Sequence, residues 1–244
     1  MKLPGAAALV TGASRGLGAA LAEELARRGA RVVLVARGAA ELEEVAGRIR
    51  AAGGEGHALA DDVGAPGAAA RLAGAATALV GDLDLLVHNA SSLGPVPLRP
   101  LLETSGDDLA RVLEVNLLGP FRLTRRLAGS MALRGEGVVV HVTSDAGREA
   151  YAGWGAYGVS KAALDHLARI WAAELEGTGV RFLTADPGEM DTRMHAEAMP
   201  EADRSSLADP AAVARALADL LEDDGWPSGA RRELAAPGVE PARA

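Results

Sequence analysis

The stretch that most constrains this chain is residues 11–18, TGASRGLG, set between a short apolar run at 6–10 and an amphipathic stretch at 17–28. A glycine turn that ends a strand and opens a helix points free N–H groups and the positive end of the helix at one spot, which suits a phosphate. Gly12 allows the tight turn, Gly16 lets the backbone approach a pyrophosphate, and Gly18 permits close helix packing. Such turns are also common as plain structure, so the weight of this one comes from what surrounds it. Gly29 stops the helix, and residues 31–36 (RVVLVA) read as a strand covered on both faces. Together these make a βαβ unit.

The alternation continues along the chain. Helical stretches at 41–51, 68–80 and 156–175 separate strand-like runs at 56–60, 83–88, 138–143 and 180–185. A long helical pattern at 107–133 is interrupted at Gly119-Pro120, and Asp209-Pro210 starts a last helix that runs to about Leu221. This pattern predicts an α/β fold: a single doubly wound parallel sheet of Rossmann type with helices on both faces. One domain is expected over 1–234, with a flexible tail over 235–244. The stretch GWPSGARREL after Asp224 carries only a poor strand signal. Two long loops, 90–105 and 187–207, follow strands and lie where open α/β sheets bind ligands.

Several classes are excluded by what the chain lacks. It has no cysteine, so there is no disulfide scaffold, thiolate metal site or cysteine nucleophile. The formal net charge of −8 argues against nucleic acid or an anionic membrane as the main partner. No apolar run is long enough to span a bilayer, and residues 1–5 do not read as a secretory signal, so a soluble, cytoplasmic protein is expected. His57 and His166 have no partner at metal-ligand spacing, so no metal is expected, and burial with satisfied ring nitrogens is the expected state of His88 and His141.

The second strand discriminates between cofactors. Sites selective for NAD place an acid about 20 residues past the glycine turn to bind the ribose hydroxyls. Here that place holds Ala36, followed by Arg37, and Arg15 lies within the turn itself. Two guanidiniums near the ribose would bind a 2′-phosphate through charge-assisted bonds, so NADP(H) is the expected cofactor. The plainer alternative makes Arg37 one of 23 arginines on a solvated surface.

Against those arginines stand just two lysines, Lys2 and Lys161. A chain that uses Arg for its generic cations yet keeps an internal Lys marks a position where side-chain shape and pKa matter. Lys161 stands four residues after Tyr157, so on a helix the two share a face. A nearby ammonium stabilises the phenolate and lowers the phenol pKa, which would make tyrosine a usable general acid or base.

Taken together, these residues resemble the short-chain dehydrogenase/reductases. The likeness runs from about Leu3 to Leu221. It rests on Thr11-Gly12-x-x-x-Gly16-x-Gly18, Asp62-Val63, His88-Asn89-Ala90, Asn116, Ser144, Tyr157-x-x-x-Lys161 and Pro187-Gly188-x-x-x-Thr192. The resemblance implies that Ser144 holds the substrate carbonyl, Tyr157 moves the proton, Lys161 tunes Tyr157 and binds the nicotinamide ribose, and Asn116 holds a water of the proton relay. Phosphates would lie against Gly12, Ser14, Arg15, Gly16, Leu17 and Gly18, with Arg37 beside the ribose. Asp62 and Val63 would contact adenine, Asn89 and Ala90 the adjoining ribose, and Pro187, Gly188, Met190 and Thr192 the nicotinamide. The sequence departs from the family pattern at Ser91, where glycine is usual, and at Asp186, where a neutral residue is commoner.

Leu93, Trp154, Met190, Met194 and His195 lie on segments expected to surround the reacting carbonyl. Their aromatic and thioether surface fits a medium-sized apolar or aromatic ketone. Ser92-Leu93-Gly94, Gly153-Trp154 and Met190-Asp191-Thr192 are similar to the sepiapterin-reductase branch. The expected partner is thus a small carbonyl or alcohol substrate, and the family implies a homotetramer or homodimer joined through the helices at 107–133 and 156–175. An NAD-linked alcohol dehydrogenase and a non-catalytic cofactor-sensing protein are the competing readings; Ala36, Arg15 and Arg37 disfavour the first, and the intact Ser144, Tyr157 and Lys161 disfavour the second.

Overall fold

Alternate residues of the central strands go to opposite layers, and this is what builds the molecule. In the computed structural model, which describes residues 1–223 and 225–234, seven strands form one sheet: β1 (Ala7–Thr11), β2 (Arg31–Ala36), β3 (Glu55–Ala60), β4 (Leu85–His88), β5 (Gly137–Val142), β6 (Val180–Asp186) and β7 (Ala230–Glu233). Ala8, Val10, Val32, Leu34, Val87, Val138 and Val140 face one apolar layer, while Ala7, Leu9, Val33, Leu86, Val139 and Phe182 face the other. With both faces buried, the β-branched runs need no polar side, and the sheet is parallel throughout.

The first layer is covered by α1 (Gly16–Arg27), α2 (Ala39–Ala51) and α8 (Pro210–Glu222). The second is covered by α3 (Ala68–Val80), α5 (Gly119–Arg134) and α6 (Gly155–Glu174). Asp209 caps α8, its carboxylate accepting from the Ala211 N–H at 3.1 Å, with Pro210 in the first turn. The strand order is β3-β2-β1-β4-β5-β6-β7. The chain therefore winds outward from β1 in one direction and from β4 in the other, leaving a crevice between their carboxyl ends.

Three expectations need correction. The helical pattern at 107–133 does not break at Gly119-Pro120. It runs as α4 (Gly106–Leu113), a π-helical turn at Glu114–Leu118, and then α5. Pro120 sits in the first turn of α5, and Gly119 is needed because a Cβ there would stand 2.8 Å from the Val63 carbonyl oxygen. The poor strand signal near the end hides β7, which pairs in parallel with β6 from Leu183↔Ala230 to Asp186↔Glu233. The loop at 187–207 contains the short helix α7 (Arg193–Ala198). The tail expected at 235–244 lies outside the described residues. Among the described residues, no helix is long and apolar enough to cross a membrane.

Candidate active site

The ends of β1 and β4 are locked together before any ligand is considered. The Thr11 hydroxyl donates to the Val87 carbonyl at 3.1 Å and accepts from the N–H groups of Asn89 and Ala90 at 3.0 and 3.1 Å. Asn89 Nδ2 donates to the carbonyls of Thr11 and Gly12 at 2.9 and 3.1 Å. The Nδ2 donors of Asn89 are thus spent on shaping the glycine turn. Gly12 and Gly16 have φ of +68° and +55°, and a Cβ on Gly18 would stand 2.3 Å from the Gly12 carbonyl oxygen. At Gly16 a Cβ would meet only the Thr192 methyl, at 3.4 Å. The turn and the 187–192 loop therefore face each other across a narrow slot that a backbone without side chains keeps open.

Ser14 is half-buried along that slot, and Leu17 lies under it as part of the core. Arg15 and Arg37 are exposed beyond the neighbouring ends of β1 and β2, with no ion pair to any described residue. Asp62 accepts from the Gly64 N–H at 2.9 Å, holding the turn after β3, and Val63 packs on the second layer. At the other wall Gly188, φ +67°, donates its N–H to Asp186 Oδ1 at 3.1 Å. Thr192 Oγ1 accepts from the His195 N–H at 3.2 Å, capping α7.

Tyr157 and Lys161 are both buried on one side of α6, with Lys161 Nζ 5.4 Å from the centre of the Tyr157 ring. The ammonium donates to the Val142 carbonyl at 2.8 Å, which anchors it at the end of β5. Burial pushes Lys161 down to about 8, against the pull of Asp165 and Asp186. Burial likewise pushes the phenol of Tyr157 well above the ordinary tyrosine value; the Ser144 and Ser91 hydroxyls oppose the shift, while the charges of Asp186 and Asp145 add to it. The direction is thus opposite to the depression expected from the ammonium, because desolvation leads.

Asn116 lies in the π-helical turn and is fully engaged. Its Oδ1 accepts from the Ser92 N–H at 2.7 Å, and Nδ2 donates to the Ser92 carbonyl and to Ser160 Oγ, both at 2.9 Å. Its side chain ties the loop after β4 to α6, and the π turn that carries it is a common device at functional sites. Tyr157, Leu93 and Ala146 form one apolar cluster with Leu98, Trp154 and Met194, the Trp154 and Tyr157 rings meeting edge-on at 5.7 Å. Leu93, Trp154 and Met194 thus come together as expected. Met190 does not join them: it packs on the α1/α8 layer and bridges to Ala208. His195 lies 3.7 Å from Glu189.

Two side chains near the phenol have no place in the motif reading. Asp145 accepts from Ser144 Oγ and from the Tyr151 hydroxyl, both at 2.9 Å. Ser91 fills the position where glycine is usual; its hydroxyl is buried, makes no full hydrogen bond, and stands by Tyr157. The signal for Asp145 was its place directly after Ser144, and for Ser91 the departure itself. His88 bonds Thr124 Oγ1 at 2.8 Å, but both ring nitrogens of His141 are unpartnered among the described residues, against expectation, and burial first and Lys161 second hold His141 down at about 3.

The short-chain dehydrogenase family model matches residues 6–203 of this chain. The chain belongs to that family. An uncharacterized oxidoreductase of Mycobacterium tuberculosis is 41% identical over 169 residues, covering 69% of this chain and 63% of the relative. The chain thus spans less than two thirds of that protein. A 1-deoxy-11-beta-hydroxypentalenate dehydrogenase of Streptomyces exfoliatus is 36% identical over 195 residues, 80% of this chain and 70% of the relative. Among solved structures, a metagenomic short-chain oxidoreductase in complex with NADP superposes with a TM-score of 0.79 at 33% identity, over 91% of this chain and 93% of that one. The parallel sheet of this chain is the one it shares with that solved neighbour.

Proposed function

We propose that the chain is an NADP(H)-dependent oxidoreductase that reduces a ketone or aldehyde to an alcohol, with Tyr157 as the general acid and, in reverse, the general base. One juxtaposition carries the reading: a buried phenol, flanked by Ser144 and with Lys161 Nζ 5.4 Å from its ring, at the sheet edge beside a glycine-lined slot. The slot suits a dinucleotide, since at Gly16 a Cβ would meet Thr192 at 3.4 Å and its absence leaves the turn's backbone open to a phosphate. Residues Gly12 to Gly18 would hold the pyrophosphate, Asp62, Val63, Asn89 and Ala90 the adenosine half, and Pro187, Gly188, Met190 and Thr192 the nicotinamide end. Arg15 and Arg37, with no ion pair to any described residue, and Ala36 in place of an acid at the end of β2, favour the 2′-phosphate. The NADP in the metagenomic relative supports the same choice.

The bound nicotinamide supplies hydride to the carbonyl carbon. Negative charge then grows on the carbonyl oxygen; the Tyr157 hydroxyl donates to it, and Ser144 joins once its hydroxyl turns from Asp145 Oδ1. Tyr157 gives up its proton, and the Lys161 ammonium stabilises the phenolate left behind. A phenol kept protonated by burial suits the acid role in reduction. Leu93, Trp154, Leu98 and Met194 form an apolar wall against which a medium-sized apolar or aromatic ketone fits, and the Ser92-Leu93-Gly94 and Gly153-Trp154 segments place sepiapterin-like dicarbonyls among the candidates. A homodimer or homotetramer is read from α6, where Val159 and Ile170 stand exposed.

The test is NADPH oxidation across aliphatic ketones, aromatic ketones, dicarbonyls, pterins and quinones, with NADH in parallel. Turnover of one carbonyl class with NADPH preferred supports the reading. No turnover with any class, or a preference for NADH, contradicts it.

A further inference from the structure

Below Lys161 the protein buries more charge than packing requires. Arg231 of β7 sends Nη2 to Asp186 Oδ2 at 2.5 Å, Nη1 to Asp165 Oδ2 by a short bond, and Nη1 toward Thr143 Oγ1 at 3.5 Å. The three charged side chains are between 7% and 14% exposed. Asp186 closes β6, and its second oxygen, Oδ1, accepts from the Gly188 N–H at 3.1 Å. Asp165 lies one helical turn beyond Lys161 on α6. Val142, whose carbonyl receives the ammonium, pairs in register with Ala185, the residue before Asp186. Groups from α6, β6 and β7 thus converge under one ammonium.

Stability does not explain this arrangement. A buried ion network loses to desolvation much of what it gains in attraction, and apolar residues of similar volume often serve as well. This one is also incompletely satisfied, since Asp165 Oδ1 and Arg231 Nε have no partner among the described residues. Buried charges of this kind gather where a neighbouring group must be tuned.

We propose that Asp186, braced by Arg231, is a positioning residue for Lys161: its carboxylate keeps the ammonium charged in a dry site and ties β7 to the loop at 187–192. The inference rests on the proposed catalytic reading for its purpose, but its electrostatic content stands apart from it. The charged or titratable groups around the ammonium are Tyr157 and Asp165 on α6, His141 on β5, Asp186 on β6 and Arg231 on β7. His141 is neutral near pH 7, so it does not compete. Burial raises the Asp186 carboxyl above its ordinary value; the Gly188 N–H and Arg231 oppose this, and the charges of Asp145 and Glu233 add to it. Replacing Asp186 with Asn keeps an acceptor for the Gly188 N–H and removes the charge, so Lys161 must lose its proton at lower pH.

The composition offers a direct measurement. With Lys2 and Lys161 the chain's two lysines, ¹³Cε-labelled protein gives two resonances, and exposed Lys2 serves as an internal reference. In ligand-free wild type the Lys161 signal should titrate near 8. In Asp186→Asn it should titrate lower by about half a pH unit or more, while Asp186→Glu, which keeps the charge, should stay near wild type. Asp165→Asn should shift it in the same direction and provides the reading if Asp186→Asn does not fold. An unmoved Lys161 resonance in both Asn variants would overturn the proposal. Because this titration needs neither cofactor nor turnover, it can fail while the catalytic reading holds, and the reverse.

Discussion

The Tyr157 phenol is buried, and the consequences begin at that side chain. The aromatic edge of Trp154 and the apolar cluster around Leu93 desolvate the phenol and hold it protonated, whereas Ser144 and Ser91 supply the hydroxyls that a phenolate needs. Ser144 is also hydrogen-bonded to Asp145, which fixes its rotamer. Ser144→Ala should therefore lower kcat by about 10²-fold, the usual loss for one oxyanion donor, with a smaller change in KM, as steady-state kinetics would show. On the proposed reading, cofactor choice also turns on single residues. Arg37→Ala removes a charge-assisted bond and should raise the KM for NADPH about ten-fold while leaving that for NADH unchanged. Equal effects on both cofactors would return Arg37 to the solvated surface. Most of this was legible from residue type and spacing, because chemistry of this kind needs those side chains at a helical interval. The direction of the Tyr157 shift was not, since burial by Trp154, Leu93 and Met194 is a tertiary fact.

At the scale of elements, α1 and α8 are fastened by charge as well as by apolar contact. Glu24 bonds both Arg27 and Arg28, and Arg28 reaches Asp219 and Glu222 on α8. The Arg27 guanidinium foremost, then Arg28, holds the Glu24 carboxyl down at about 2, against its ordinary 4.5. A carboxyl depressed by folding adds stability that is fully present above its unfolded value and is lost as pH falls through the folded one. Between pH 4.5 and 2, Glu24→Gln should flatten the acid decline in unfolding free energy, by on the order of 1–3 kcal/mol in urea titrations. An unchanged acid limb would place the decline elsewhere. Element identity was readable where apolar period was strong, as in β2 and α3. It failed at β7, whose Ala-Arg-Arg-Glu shows no apolar alternation because Arg231 is held by ion pairs. It also failed at 114–120, where a π turn and a glycine required by Val63 look in sequence like a helix break.

For the whole molecule, the sheet order puts the switch of winding direction between β1 and β4, and the strand ends bring Gly12, Arg37, Asp62, Asn89, Ser144 and Gly188 to the carboxyl edge from segments far apart in sequence. Strand–helix alternation alone sufficed for this architecture, because parallel strands need crossover helices and those have one hand. Subunit association was outside its reach. If α6 is a shared surface, Val159→Glu with Ile170→Glu should lower the assembly state in sedimentation velocity while leaving the fold intact by circular dichroism. The account as a whole depends on one proton. The most direct measurement compares wild type with Tyr157→Phe in single-turnover reduction of an active carbonyl, with NADPH affinity measured by fluorescence in both. The account predicts a loss of at least about 10²-fold in the reduction rate with NADPH affinity nearly unchanged; a Phe variant that reduces the carbonyl at close to the wild-type rate would contradict it.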